Sequence, residues 1–252
     1  MPILVFLILV SKADVELTPT SWVVLGIASL CYLSSYLFAY RGYSSSPLSV
    51  VAPISYTAPA IATLLAVLFL GVRLALVEVV PLVAIMVGVM LLSTKFSELR
   101  RSTRAGGVSV VRSGVVPGLG AAFSFSFVFL ALSAVVPEAG YLMPVLVLKA
   151  GGSLTGLALW PIAERGVRPS RKGLSSLVSS VAILDTVGYL FLGEGIASAG
   201  TLLPLVIMSS GMGGFFLVCY GIILRKEKPE PNQLVGITVS IVAVAALLYL
   251  TA

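Results

Sequence analysis

Apolar runs of about 20 residues recur along this chain from near its start to its end, and a run of that length crosses a ~30 Å hydrocarbon core at ~1.5 Å per residue. Lipid offers no partner for backbone N–H and C=O groups, so each run must be a helix or belong to a closed barrel. Lengths near 20, without period-2 alternation, select helices. Composition agrees: 58% of the 252 residues are hydrophobic and 10% charged, against about a quarter charged in soluble domains. The expected fold class is an all-α polytopic membrane protein, a multi-pass protein of the cell membrane.

Glycine, proline and charge clusters place eight full spans at about 21–40, 48–70, 75–93, 113–134, 141–163, 174–193, 198–223 and 232–251. Ahead of them "MPILVFLILV" is too short to cross and runs into the polar "SKADVELTPTS". Three readings of it stay open: the remnant of a longer helix, a re-entrant or interfacial piece, and a signal peptide lacking a positive n-region.

The net charge of +6 reports topology rather than a nucleic-acid partner, because the cations sit in short connections between apolar runs. Arg41, then Lys95, Arg100, Arg101, Arg104 and Arg112, then Arg165, Arg168, Arg171 and Lys172, then Arg225, Lys226 and Lys228 fall in alternate connections. The opposite ones hold Lys12 and Arg73. By the positive-inside rule the richer side is cytoplasmic, and the carboxyl terminus is expected outside. "KFSELRRSTRAGGVSVVR" reads as a basic connecting loop over 94–112, with orientation as its first role and anionic lipid as a second.

"YLFAYRGYSS" at 36–45 returns as "YLFLGEGIAS" at 189–198, an offset of 153. Arg41 in the first copy is matched by Glu194 in the second. By the charge count the two connections face opposite sides, so the repeats would be inverted. Inverted repeats with interrupted helices are a recurring plan of secondary transporters, whose substrate site lies near the midplane.

The proline and glycine pattern resembles the drug/metabolite transporter superfamily, in its ten-helix EamA-like branch. The residues that carry the resemblance are "APAIATLLAVLFLGVRLALVEVVPLVAIMVGVMLL", with Pro59 and Gly88, and "LRKEKPEPNQLVGITVSIVAVAALL", with Glu227-Lys228-Pro229, Gln233 and Gly236. The chain departs from the pattern at Val72, where glutamate is usual, at Pro81 in place of a glycine, and at Gly214 in place of a proline. The resemblance implies two inverted repeats, 1–93 and 113–252. The first would lack its first helix and part of its second, so residues 2–10 correspond to the end of helix two. Family members keep both termini cytoplasmic, which opposes the charge count at the carboxyl end.

Chemistry within the spans is sparse. Lys149 and Asp185 lie at matched depth in adjoining antiparallel helices, ~12 Å from one boundary. An unpaired charge so deep costs at least ~2.5–3.5 kcal/mol, so pairing or shared facing onto a wet cavity is expected. A static ion pair holding two helices, and a pair bordering a substrate or proton pathway, are both open. Tyr32, Tyr36 and Tyr40 are spaced four apart, and Asp185 is four before Tyr189, so both copies carry phenols in a stripe. Tyr32, Tyr36 and Tyr189 are candidate pathway lining, with ordinary packing as the alternative. Tyr40 and Tyr43 suit a membrane interface. Ser209 and Ser210 are further candidates for the substrate or proton pathway, and the "GMGG" that follows suggests a helix break at Gly211, Gly213 and Gly214, as Pro59 does in the first copy; close helix contacts explain the same letters.

Histidine is absent and the second aspartate, Asp14, lies outside the spans. A zinc protease site, a Ser-His dyad and an aspartyl dyad are thereby excluded. Cys31 and Cys219 lie within apolar runs and read as buried structural thiols. No phosphate-binding loop of the G-x-x-x-x-G-K-[ST] kind is present. The expectation is a secondary active transporter, not an enzyme, with no cofactor or metal. It would move a small-molecule metabolite by alternating access, with a proton or substrate gradient as its driving force. Its partners would be that metabolite and membrane lipid, with no nucleic acid and with a homodimer left open. A non-transporting membrane scaffold or accessory subunit of the same fold is the alternative.

Overall fold

The computed structural model describes residues 17–46, 48–163, 171–200, 203–210, 226 and 229–251. In chain order the helices are α1 (Pro19–Ser45), α2 (Leu48–Ser55), α3 (Ala58–Phe69), α4 (Leu76–Ser93), α5 (Phe96–Ala139), α6 (Leu142–Ala163), α7 (Arg171–Ser198), α8 (Leu203–Ser209) and α9 (Pro231–Thr251). No strand occurs among the described residues, and the all-α polytopic membrane fold holds.

Local chemistry sets the ends of these helices. Thr18 caps α1: its Oγ1 accepts from the Ser21 N–H at 3.1 Å, and Pro19 takes the first helical position. Glu78 reaches back to accept the Ala75 N–H at 2.9 Å, so the acid read near a helix entrance is a cap. After α3, Gly71 adopts φ +67°, and the Val72 N–H closes back onto Ala66 O at 3.4 Å. Gly140, at φ +68°, ends α5 in the same way.

The span at 48–70 is broken. α2 ends at Ser55 and α3 starts at Ala58, with Pro59 in its first turn. Proline has no N–H to donate, and its ring opposes the carbonyl four residues back. Thr57 Oγ1 donates to Ile54 O at 2.7 Å across the gap.

Two segments depart from the sequence expectation. Residues 94–112, read as a loop, are helical from Phe96 and form the first part of the 44-residue α5. At ~1.5 Å per residue α5 is ~66 Å long, about twice a membrane core, and its apolar part is Ser113–Ala139. Arg, Leu, Lys and Glu are strong helix formers, so charge alone did not make this stretch a loop. α7 runs on to Ser198, five residues past the expected 193, through Glu194 and Gly195.

Of the eight spans expected, five appear among the described residues as helical segments long and apolar enough to cross: Pro19–Ser45, Val50–Phe69 with α2 and α3 taken together, Leu76–Ser93, Ser113–Ala139 and Val178–Ser198. Leu142–Ala158 and Pro231–Leu247 are further apolar stretches, within α6 and α9. The span read at 198–223 is represented by α8, and its remainder, with Gly211, Gly213, Gly214 and Cys219, lies outside the described residues. So do residues 1–16.

The chain divides into two compact units, Met1–Leu33 with Ala131–Gly200, and Ser34–Leu130 with Thr201–Ala252. Each takes chain from both halves of the sequence, a different grouping from the 1–93 and 113–252 repeats. In the first unit Leu25, Leu132, Val136, Val145 and Leu148 are buried.

In the second unit α9 lies antiparallel along α4, its start beside the end of α4. Asn232 Nδ2 donates to Leu91 O at 2.9 Å and Thr94 O at 2.6 Å, and Gln233 Nε2 donates to Leu92 O at 3.1 Å. Midway, Gly88 faces Gly236 so closely that a Cβ on Gly236 would lie 2.6 Å from Gly88 O. Farther on, Leu82, Ile85 and Val89 pack with Ala243 and Leu247. Small residues let helix backbones approach in lipid, where dispersion replaces the hydrophobic drive.

Candidate functional site

The strongest concentration of polar chemistry among the described spans lies within the first unit, on α1, α6 and α7. Lys149 projects from the first half of α6 and is 4% exposed. Two glycines follow it. A Cβ on Gly152 would stand 2.6 Å from Tyr32 Cδ1, and one on Gly151 would stand 2.7 Å from Ser29 Cβ. The glycine pair therefore lets α1 lie against α6, with Ser29 Oγ donating to Leu25 O at 2.8 Å. This brings the Tyr32 ring beside the lysine stem.

From that position the Lys149 ammonium donates to the Tyr32 phenol oxygen at 2.8 Å, and the Tyr32 hydroxyl donates to Asp185 Oδ2 at 2.7 Å. The ammonium also pairs directly with Asp185 Oδ2. Three exchangeable groups thus close a loop around one carboxylate oxygen.

Tyr189, one turn after Asp185 on α7, completes the surround. Its ring centroid is 3.9 Å from Lys149 Nζ, and that of Tyr32 is 4.6 Å away. The two rings meet edge to face, 5.6 Å apart at 79°. Tyr189 is buried at 7% exposure, while the Asp185 side chain keeps 27%. The carboxylate is the more open end of the pair.

Magnitudes account for the charge being tolerated. A lysine at bilayer depth costs ~2.5–3.5 kcal/mol on insertion scales. A charge-assisted hydrogen bond contributes ~1.5–3 kcal/mol, and each desolvated cation–π contact ~0.5–2 kcal/mol. Together these contacts are of the size of the lysine's penalty.

The remaining candidates are placed elsewhere. Tyr36 belongs to the second unit, where its ring meets Phe125 edge-on at 5.3 Å and Tyr40 at 6.0 Å. Tyr40 is 59% exposed and Tyr43 38%. Ser210 Oγ donates to Ile207 O at 2.6 Å, closing the end of α8. Ser209 is the last residue of α8, and its side chain lies outside the described residues. Cys31 is a free thiol and is half-buried rather than buried. Among the described residues no cluster of histidine, cysteine, aspartate or glutamate could hold a metal ion. An open groove of about 600 Å³ beside α4 and α9 is lined by Val77, Val80, Pro81, Val242 and other apolar side chains, and offers no proton chemistry.

Sequence reasoning did not join Tyr32 to the ion pair, although the signal was present: Tyr32 and Asp185 are separated by the repeat offset itself. Ser29, Gly151 and Gly152 were also passed over. "KAGGSLTG", with small residues directly after a buried lysine, was the letter pattern that marks a close helix contact.

Residues 1–94 match the model of the EamA-like transporter family. No curated protein matches the chain. The matched stretch carries Pro59 and Gly88, the first-copy residues of the resemblance read from the sequence. The apolar helices make this an integral membrane protein, and over its first 94 residues it is similar to membrane transporters.

Proposed function

We propose that this chain, whose first 94 residues carry the EamA-like transporter pattern, is a secondary active carrier that moves a small metabolite by alternating access, coupled to protons. Its plan would be two inverted repeats, with the richly basic connections on the cytoplasmic side of the cell membrane. The observation that carries the reading is the hydrogen-bonded loop of Lys149, Tyr32 and Asp185 set among apolar helices. Ionisable residues within membrane spans mark substrate or ion pathways by default. A group that only joined helices could be replaced by apolar packing at little cost. Asp185, the more exposed member, borders the pathway, and Lys149 and Tyr32 hold it in place.

The reading is tested by reconstituting the full chain in liposomes and measuring uptake of a metabolite panel with and without a pH gradient. Flux that follows the gradient and is lost in folded Asp185→Asn supports it. A protein that carries no solute and co-purifies with a membrane partner would be the scaffold alternative.

A further inference from the structure

We infer that the groove beside α4 and α9 is a binding site for a membrane lipid bearing a phosphate, with one apolar tail lying between the helices and the phosphate against Arg73. The lipid is a resident of the fold rather than cargo. The inference stands apart from the carrier reading and holds whether or not the chain moves a solute.

The groove occupies one half of the helix pair. Its lining runs from Val77 to Ala84 on α4 and from Thr238 to Leu250 on α9. At ~1.5 Å per residue the α9 wall is ~18 Å long, close to the ~15 Å that one leaflet contributes to a ~30 Å hydrocarbon core. Its inner end is closed. A Cβ on Gly88 would stand 2.4 Å from Ser240 Oγ and 3.0 Å from Gly236 O, so the two helices leave no room there. The other end opens at the start of α4 and the end of α9, where Tyr249 is 85% exposed, an aromatic at the kind of boundary such residues favour.

The lining suits a hydrocarbon tail. Val80 and Val242 are exposed, while Pro81 and Ala243 are buried, which gives the groove raised edges and a low floor. Thr238 is its polar member, and its hydroxyl is turned to Leu234 O at 3.0 Å within α9. Nothing in the lining therefore calls for a hydrogen-bonding guest.

Charge selects the headgroup. Arg73 is exposed in the connection ahead of α4. Its neighbour Leu74 packs against the cluster of Leu82, Ile85, Ala243 and Leu247, which holds Arg73 at the open end. Glu78, the acid nearest in sequence, is turned to the Ala75 N–H as the cap of α4, and among the described residues no carboxylate pairs with Arg73. A guanidinium binds phosphate through two parallel N–H···O bonds. A second copy of the chain fits this face less well. A two-fold dimer through it would bring two Arg73 side chains to one boundary, and helix contacts in lipid use small residues rather than raised valines.

Native mass spectrometry of the full chain in detergent, titrated with phosphatidylglycerol, reads the occupancy. One lipid should be held with saturable affinity. Diacylglycerol with the same tails lacks the phosphate and should bind about fivefold more weakly, the factor expected for one arginine. Glycerol phosphate, the headgroup without tails, should not compete. Arg73→Gln should bring phosphatidylglycerol down to the affinity of diacylglycerol, and Arg41→Gln, at an exposed arginine of α1, should leave it unchanged. Ala246→Phe, at an exposed position of the lining, should keep the lipid-free melting temperature and lose both lipids. Equal affinity for the two lipids, wild-type affinity in Arg73→Gln, or competition by glycerol phosphate would overturn the inference, as would undiminished retention by folded Ala246→Phe. A wild-type dimer that excludes lipid and falls to monomers in Ala246→Phe would assign the groove to a second copy instead.

Discussion

Tyr32 and Asp185 meet directly, the phenol donating to Oδ2 at 2.7 Å across a separation of 153 residues. That separation equals the offset at which Tyr36-Leu37-Phe38 returns as Tyr189-Leu190-Phe191. On the inverted-repeat reading the two are matched positions, and matched positions can touch only near the axis that relates the copies. Tyr32→Phe should lower stability by about 1.5–3 kcal/mol, as expected for a lost hydrogen bond to a charged group. The exchanged pair, Tyr32→Asp with Asp185→Tyr, should recover a large part of what Tyr32→Asp alone loses. Thermal unfolding in detergent measures both, and a double variant no better than the worse single one would count against the two-fold relation.

Lys149 and Asp185 should couple strongly. Removing one partner of a buried pair leaves the other uncompensated, at about 3–5 kcal/mol. The lower end is expected for Lys149→Met, because Asp185 retains 27% exposure. Lys149→Met with Asp185→Leu should be more stable than Lys149→Met alone. A double-mutant cycle read by melting temperature gives the coupling, and additive losses would show that the two charges do not depend on one another.

The α4–α9 contact should depend on glycine where the backbones touch and tolerate change where they do not. A Cβ on Gly236 would stand 2.6 Å from both Gly88 O and Leu92 N, whereas nothing lies within 4 Å of one placed on Gly188. Gly236→Ala should therefore cost about 1–3 kcal/mol through overpacking, while Gly188→Ala should be neutral or slightly stabilising. Equal melting temperatures for the two variants would mean that the helices part without cost.

Acid should loosen the junction of α4, α5 and α9. Glu230 meets the Ser97 hydroxyl and accepts the Ser97 N–H at 3.3 Å, at the start of α5. The Ser97 hydroxyl is the first cause holding its carboxyl below the usual glutamate range. Partial burial pushes the other way, while the Ser97 and Phe96 N–H groups and the Lys95 charge add to the lowering. A depressed folded-state value means stabilisation that is fully present above the ordinary pKa of about 4.3 and is lost as pH falls through the depressed value. Melting temperature should drop over that acid window in the wild type and change less in Glu230→Gln. Parallel curves would remove Glu230 as the cause.

Much of the site was legible one residue at a time. Lys149 and Asp185 stood out because a charge in an apolar span is costly, and helix antiparallelism put them at one depth. The 94–112 helix was not legible, because basic residues and the Gly106-Gly107 pair read as punctuation. A helix continuing beyond the membrane needs no apolar face to persist, and its Arg, Leu and Glu residues favour it. The extension of α7 through Glu194 and Gly195 was hidden by the same habit of ending helices at charge and glycine. The Glu230 clamp was invisible for a different reason: Ser97 and Glu230 are 133 residues apart, and no local pattern joins them.

What the amino-acid order determined by itself was membrane residence, helical spans, the interruption ahead of Pro59 and the rarity of charge in depth. Hydropathy, capping and proline sterics act within a few residues of the chain, so they can be read along it. Only the tertiary structure decided which faces meet: Tyr32 with Lys149 and Asp185, Gly88 with Gly236, Ser97 with Glu230. In lipid an apolar letter does not mark a buried face, since tails are as apolar as leucine. The choice among apolar faces falls to shape at small residues and to the few polar groups that must find one another.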